Sequence, residues 1–163
     1  MRKTHALLST VVLSAAVTTV LVLHALGVTN NGVRLEFQTI GKGVWSGHAG
    51  HAYYVIQNIE DWQRVWNQHQ QCFVPQCPPP EVDFSEATVV AVFMGECPTT
   101  GYGIEVKEII DTGLTVVIKV EKAYPDKNCV VGEALTHPYH IVKTGKISKQ
   151  VIFQTFERET SCS

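Results

Sequence analysis

Two histidine pairs with the spacing His-x-x-His are the first residues that suggest chemistry. His48 and His51 occur in SGHAGHAYY, and His137 and His140 occur in THPYH. On a helix, residues three apart share a face and can hold one metal ion together. Neither segment has a helical pattern, and in an extended strand residues i and i+3 point to opposite faces. One histidine from each pair could converge on a metal ion, but the pattern favours a role in loop packing.

The cysteines are the second candidate set, and they predict disulfides. The chain has five, at positions Cys72, Cys77, Cys97, Cys129 and Cys162. In an oxidising compartment such residues pair, and the first four allow three connectivities. We favour Cys72 with Cys77, which closes a short loop, and Cys97 with Cys129. Half of a zinc site is the alternative, but the Cys-x-x-Cys spacing typical of structural zinc is absent.

No motif for catalysis accompanies these residues. The sequences GxSxG and HExxH are absent, and Asp83, Glu86 and Glu96 are spread along an apolar segment in the manner of solvated carboxylates at strand ends. No glycine-rich phosphate loop precedes a helix. The formal net charge is -2 and no run of Lys and Arg occurs, so nothing indicates a nucleic-acid partner. We therefore predict no catalytic residue, no metal and no cofactor, and a protein that is not an enzyme.

The segment PTTGY, from Pro98 to Tyr102, is the strongest candidate for a binding surface. Pro98 fixes one backbone angle and Gly101 permits a positive φ, so the segment predicts a defined turn. Thr99 and Thr100 offer hydroxyl groups, and Tyr102 carries a ring with a polar tip of the kind favoured at interfaces. The alternative is that Gly101 and Tyr102 only begin a strand, with the Tyr102 ring in the core.

The elements that must position these residues are strands and one helix. Asn58 can cap a helix that runs to about His69, because Ile59, Trp62, Val65 and Trp66 fall on one helical face. Apolar patterns predict strands at 33–40, 52–57, 87–95, 102–110, 114–120, 138–142 and 150–156, and 121–133 is expected to be irregular. Strands follow one another without helices between them, which excludes a parallel βαβ fold. We predict a mainly β (α+β) fold, an antiparallel sandwich- or barrel-like sheet with one packed helix, plus an N-terminal hydrophobic helix.

The N-terminal segment predicts export. Arg2 and Lys3 precede a run from Ala6 to Val28 that contains no Asp, Glu, Lys or Arg. A helix of that length spans a bilayer, so the run is either a transmembrane signal anchor or a cleaved signal peptide. Both interpretations place the rest of the chain outside the cytoplasm, membrane-anchored or secreted. The expected organisation is a signal or anchor at 1–28, a linker and first strand at 29–37, a β-rich domain at 38–157 and a tail at 158–163.

The order of these segments resembles the PrcB C-terminal domain family (PrcB_C), named for a protein of a protease complex. The pieces that carry the resemblance are WSG at 45–47, DWQRVWNQH at 61–69, VDFSEATVVAVFMGE at 82–96, PTTGYGIEV at 98–106 and THPYHIVK at 136–143, followed by the final QVIF strand. The resemblance implies an exported β-rich domain with an accessory or interaction role and a protein partner, which for the founding member is a surface protease. The chain departs from that member because it lacks a lipobox cysteine.

A shorter resemblance concerns PTTGY itself, which is similar to a loop of chagasin-type inhibitors of cysteine proteases. The sequence His137-Pro138-Tyr139 resembles their second Pro-aromatic loop. Three functions follow: the favoured protein-interaction domain, an inhibitor of papain-like proteases, or a structural subunit of a surface assembly. We expect the partner to contact Pro98, Thr99, Thr100, Gly101 and Tyr102, with Pro138 and Tyr139 close by. Membrane contact is expected through the N-terminal segment if it is uncleaved.

Overall fold

The computed structural model describes residues 32–161, which form two four-stranded sheets and one α-helix. The strands are β1 (Val33–Leu35), β2 (Phe37–Gly43), β3 (Ala52–Ile56), β4 (Ala87–Phe93), β5 (Gly103–Asp111), β6 (Thr115–Pro125), β7 (Tyr139–Gly145) and β8 (Gln150–Thr160), and the helix is α1 (Ile59–His69), followed by a 3-10 turn at Gln70–Cys72. The predicted N-terminal helix lies outside the described residues, as does Cys162. No helix in 32–161 is long and apolar enough to cross a membrane.

The two sheets confirm the predicted mainly β fold and its sandwich form. Sheet 1 has the order β1-β5-β6-β8, and sheet 2 has the order β2-β7-β4-β3. Neighbouring strands are antiparallel except β6 and β8, which are parallel. This parallel pair needs no crossover helix, because the chain between β6 and β8 passes through sheet 2 as β7.

The core between the sheets is built by alternation along the strands. In β6, Val116, Ile118 and Val120 point inward and are buried. They meet inward side chains of β5 and, from sheet 2, Val90, Val92 and Val142. Each such side chain contributes about 1.5–3 kcal/mol when it is fully removed from water, so this layer is a main source of stability.

Helix α1 covers the opposite face of sheet 2. Asn58 caps the helix as predicted, since its side-chain oxygen accepts a hydrogen bond from the Asp61 amide at 2.8 Å. Trp62, Val65 and Trp66 are buried in the layer between the helix and the sheet. The two indoles also donate hydrogen bonds to the carbonyl oxygens of Pro80 and Cys77, at 2.9 and 2.8 Å. The helix therefore fixes the proline-rich segment that follows it.

Several strand bounds differ from the prediction. The strand expected at 33–40 is interrupted at Glu36, and its halves, β1 and β2, join different sheets. Strand β6 continues to Pro125, into the segment expected to be irregular, and β8 continues to Thr160, beyond the expected end of the domain at 157. The two strands pair along their whole length, from Thr115 with Gln150 to Pro125 with Thr160. Both strands are longer than predicted because they pair with each other, and an apolar pattern in the sequence does not show such pairing.

The two predicted disulfides are wrong, because Cys72, Cys77 and Cys97 are free thiols. The Cys72 Sγ points back to the His69 carbonyl at 3.8 Å, while the Cys77 amide donates to Gln70 Oε1 at 3.0 Å. These hydrogen bonds hold the loop that the first bridge was expected to close.

The second predicted bridge is wrong because Cys97 is a free thiol, whereas Cys129 is disulfide-bonded and none of the other described cysteines is its partner. The Cys97 Sγ lies 3.7 Å from the Gly95 carbonyl oxygen inside the loop after β4. The Cys129 Sγ lies 3.5 Å from the Thr160 carbonyl oxygen, at the end of β8. Spacing in the sequence could not distinguish these two environments.

His140 is a buried polar residue between the sheets. Its Nδ1 accepts a hydrogen bond from the Val106 amide at 2.9 Å, so Nε2 carries the proton and donates it to Thr39 Oγ1 at 2.9 Å. In the neutral form of the ring, both nitrogens of His140 therefore have a hydrogen-bond partner. Burial, with a smaller effect of Lys42, lowers the pKa of His140 from 6.5 to about 4.

We predict that His140 makes the protein less stable in acid. Unfolded chains bind a proton near pH 6.5 whereas the folded protein binds it only near pH 4, so the free energy of unfolding falls as the pH drops through this window. Each such histidine contributes a slope of about 1.4 kcal/mol per pH unit. The substitution His140→Asn keeps an acceptor for Val106 and is expected to make the decline shallower. Urea unfolding across this window measures the slope, with His137→Asn at the surface as the control; equal slopes in both variants would contradict the assignment.

Candidate protein-binding surface

Three loops meet at one end of the sandwich and bond to one another through their backbones. We call this end the three-loop surface, and it comprises 44–51, 94–102 and 126–138. The His137 amide donates to the Val44 carbonyl at 2.8 Å, and the Glu96 amide donates to the Ala49 carbonyl at 2.9 Å. Cys97 and Thr136 exchange two backbone hydrogen bonds, at 2.8 and 2.9 Å. The loops thus form one rigid surface instead of three independent segments.

The predicted PTTGY segment forms part of this surface, but its threonines bond within the protein. The Thr100 amide donates to the Gly132 carbonyl at 3.0 Å, and the Gly132 amide donates to Thr100 Oγ1 at 2.7 Å. The Thr136 hydroxyl donates to the Thr99 carbonyl at 2.9 Å, and the Thr99 hydroxyl donates to the Thr100 carbonyl at 3.1 Å. Both threonines are half-buried, whereas Pro98 is exposed. The Thr100 hydroxyl and the Thr99 carbonyl therefore fasten this loop to the third loop, whereas the Thr99 hydroxyl bonds within its own loop.

Gly101 and Tyr102 lead directly into β5. Gly101 has φ = 94°, and a Cβ at this position would lie 3.0 Å from the Pro125 side chain. Glycine is therefore required both by conformation and by space. The Tyr102 ring is half-buried and packs edge-on against Tyr124, with 5.8 Å between the ring centroids. This packing supports the alternative interpretation, in which Tyr102 leads into a strand. The exposed part of its ring borders the three-loop surface.

Pro138 ends the third loop, and Tyr139 begins β7. Pro138 is buried, and its carbonyl accepts a hydrogen bond from the Met94 amide at 2.9 Å. Tyr139 is the first residue of β7, and its half-buried ring lies 4.3 Å from the His69 ring on the helix side of sheet 2. Pro138 is therefore joined to the loop after β4 at Met94, and Tyr139 packs toward helix α1.

The exposed apolar side chains of the surface come from residues that the sequence did not single out. Val44, Trp45, Val130 and Leu135 are exposed by 37%, 50%, 102% and 55%. Scattered apolar exposure is ordinary, but four exposed apolar side chains on loops that are bonded into one surface suggest a contact site. Of these residues, only Trp45 could have been identified from the sequence, because it is the one large apolar residue of the glycine-rich GKGVWSGHAG segment. Leu135 carried no such signal, because its exposure is decided by the fold.

A shallow groove of about 330 Å³ lies beside Trp45. It is lined by Trp45, Ser46, Gly47, Gln71, Cys72 and His137. At Gly47 the chain packs directly on the helix, since a Cβ there would lie 2.2 Å from the Gln68 carbonyl oxygen, and the Gly47 amide donates to the His69 carbonyl at 2.9 Å. This close approach joins the first loop to the end of α1.

The groove brings a serine and a histidine into contact, but their chemistry is weak. Ser46 Oγ lies 3.0 Å from His69 Nδ1, and it also accepts a hydrogen bond from the His48 amide at 3.2 Å. Burial, with a smaller effect of His48, lowers the pKa of His69 to about 4, and such a group is a poor general base at neutral pH. Ser46 is itself buried, and burial raises the pKa of the neighbouring Cys72 thiol. The pair is therefore better suited to holding the loop than to activating a nucleophile.

The histidine pairs do not converge on a metal site. His48 is buried, stacks on Phe93 with 3.8 Å between ring centroids, and donates from Nε2 to the Val65 carbonyl at 3.3 Å. His140 lies between the sheets, and His137 lies 3.6 Å from the Glu96 carboxylate at the surface. Within 32–161, no group of three or more His, Cys, Asp or Glu side chains could hold a metal ion.

We predict that the Thr100 hydroxyl holds the third loop in place. In Thr100→Val the Gly132 amide loses its acceptor at nearly constant side-chain volume, a loss of about 1 kcal/mol that corresponds to roughly fivefold faster hydrogen exchange at Gly132. Thr99→Val is the matched control, because the Thr99 hydroxyl contacts only the neighbouring Thr100 carbonyl. Exchange at Gly132 that is equally slow in both variants would show that this hydrogen bond does not order the loop.

Comparison with known protein families gives a match to part of the chain. The family described as PrcB C-terminal matches residues 88–145, which span β4 to β7 and include two of the three loops of the surface. Comparisons with curated proteins and with solved structures found no match. The family match confirms the predicted resemblance: over residues 88–145 this chain is similar to the PrcB C-terminal family.

Proposed function

We propose that the protein is a non-catalytic accessory domain that binds another protein, a component of a protease complex, through the three-loop surface. The observation that carries this proposal is the position of the family match. It includes the loops 94–102 and 126–138, which are the segments that the structure bonds into the exposed end of the sandwich. The family's association with a protease complex supplies the class of partner.

The chemistry of the surface supports protein binding. Trp45 and Leu135 offer exposed apolar area on the same set of bonded loops as the exposed Pro98, and tryptophan is among the residues that most often dominate binding energy. The loops are already fixed by backbone hydrogen bonds. Binding would therefore order few residues, which reduces the entropy lost on association.

We further propose that the domain acts outside the cytoplasm. The support is the sequence of the N-terminal segment, in which Arg2 and Lys3 precede the uncharged run from Ala6 to Val28. Such a segment either anchors the domain to the membrane or directs its secretion. In both cases the three-loop surface would meet its partner on the outer side of the membrane.

We predict that Trp45→Ala and Leu135→Ala weaken partner binding without unfolding the domain. The tagged full-length chain is expressed in its source cells, crosslinked, and recovered with its partners for quantitative mass spectrometry. A central apolar contact is worth about 2 kcal/mol, so each variant should recover the protease component roughly thirtyfold less. Leu114→Ala is the matched control, since Leu114 is 90% exposed and lies in the β5–β6 turn, away from the three loops.

Two results would contradict the proposal in different ways. Equal recovery of a protease component by the wild type and by both loop variants would show that the three-loop surface is not the binding site. Recovery of partners that include no component of a protease complex would show that the class of partner is wrong.

A further inference from the structure

Strand β8 lies at an open edge of sheet 1. It has 11 residues, and among the described strands it pairs only with β6. The Thr160 carbonyl accepts a hydrogen bond from Asp126, just beyond the end of β6, at 3.2 Å, so the even-numbered residues of β8 direct their backbone groups toward β6. Because these directions alternate along a strand, the odd-numbered residues, from Val151 to Glu157, direct their N–H and C=O groups outward.

This edge lacks the features that usually protect an edge strand. Natural edges carry Pro, Lys or a β-bulge, or they are short. From Gln150 to Phe156 the strand has no proline and no charged residue, and the pairing with β6 continues without a register shift. Charges begin only at Glu157. The first seven residues therefore form a template for another strand.

The exposed face of this template is apolar and symmetric about one residue. Ile152 and Phe156 are exposed by 47% and 41%, and they lie on the same face, two residues to either side of Gln154. A two-fold axis through Gln154 would place Ile152 of one copy opposite Phe156 of the other, twice. The sequence of the strand is thus complementary to its own reverse at this position.

We propose that two copies of the chain pair antiparallel through β8, with the two-fold axis at Gln154. In this register Gln150 faces Arg158 and Val151 faces Glu157, so no like charges oppose one another. The pairing joins the two copies of sheet 1 into one continuous eight-stranded sheet. The outward backbone groups of Phe153 and Thr155 supply the hydrogen bonds.

Neighbouring registers are less favourable. An axis through Thr155 places Ile152 opposite Arg158, and an axis through Arg158 places Glu157 opposite Glu159. Like charges directly across an antiparallel pair destabilise it. Charge and apolar pattern therefore favour the register at Gln154 over these two.

The proposed dimer leaves both three-loop surfaces open. In each copy these loops lie at the end of the sheet where β6 and β8 finish, near Pro125 and Thr160. An antiparallel pair directs these ends away from each other. The dimer would therefore present two three-loop surfaces at its opposite ends.

Disulfide crosslinking of the full-length chain tests the register. In the proposed dimer the two copies of residue 154 form a non-hydrogen-bonded pair with Cα atoms about 4.5 Å apart, which a disulfide can bridge. Gln154→Cys should therefore crosslink readily on mild oxidation. Gln150→Cys is the matched control, because its two copies lie about 27 Å apart at roughly 3.4 Å per residue. Mass spectrometry of the linked peptide distinguishes this bond from bonds of the native cysteines.

A second variant removes one backbone donor at the edge. Thr155→Pro lacks the outward amide and is tolerated where that amide faces solvent, whereas Thr155→Val keeps it. We expect a dimer mass by sedimentation for the wild type and Thr155→Val, a monomer mass for Thr155→Pro, and unchanged circular dichroism in all three. A monomeric wild type at micromolar concentration, or equal crosslinking at positions 154 and 150, would overturn the proposal.

Discussion

Strand β4 is apolar on both faces, and the three layers of the fold meet on it. Val90 and Val92 pack toward sheet 1, while Val89, Ala91 and Phe93 pack toward helix α1. All five side chains are fully buried. Without this strand, sheet 1 and helix α1 would lose the central apolar surface that they cover on the two faces of sheet 2. The three-loop surface also depends on β4, since the PTTGY loop begins where the strand ends.

The loop end is rigid because its polar groups bond to one another. Backbone hydrogen bonds connect the three loops, and the Thr100 hydroxyl and Ser46 extend these connections. Burial lowers the pKa of both His69 and His140 to about 4 and keeps the two rings neutral. They are therefore unsuitable for proton transfer near neutral pH. The polar residues that first suggested chemistry therefore stabilise the scaffold, and apolar side chains remain for contact with a partner.

Much of the fold was predictable because short-range rules determine it. The helix of Asn58 to His69 was predicted from its cap and its apolar stripe, and the strands from alternation. The ends of β6 and β8 were not, since Glu157 and its neighbours are polar and join the sheet only through pairing. The PTTGY loop was identified as a defined turn, but the internal use of its threonines was not predicted.

The sequence by itself determined the mainly β class, the packed helix and the family resemblance, because each depends on periodicity or on a local order of residues. Only the tertiary structure decided which residues are exposed where loops meet. Trp45 and Leu135 are far apart in the chain, and their loops come together through long-range hydrogen bonds such as that between the Val44 carbonyl and the His137 amide. The cysteines show the same limit: spacing predicted a bridge between Cys97 and Cys129, whereas the fold directs Cys97, a free thiol, and Cys129, which is disulfide-bonded, toward different carbonyl groups. Long-range packing fixes such directions, and no local pattern encodes them.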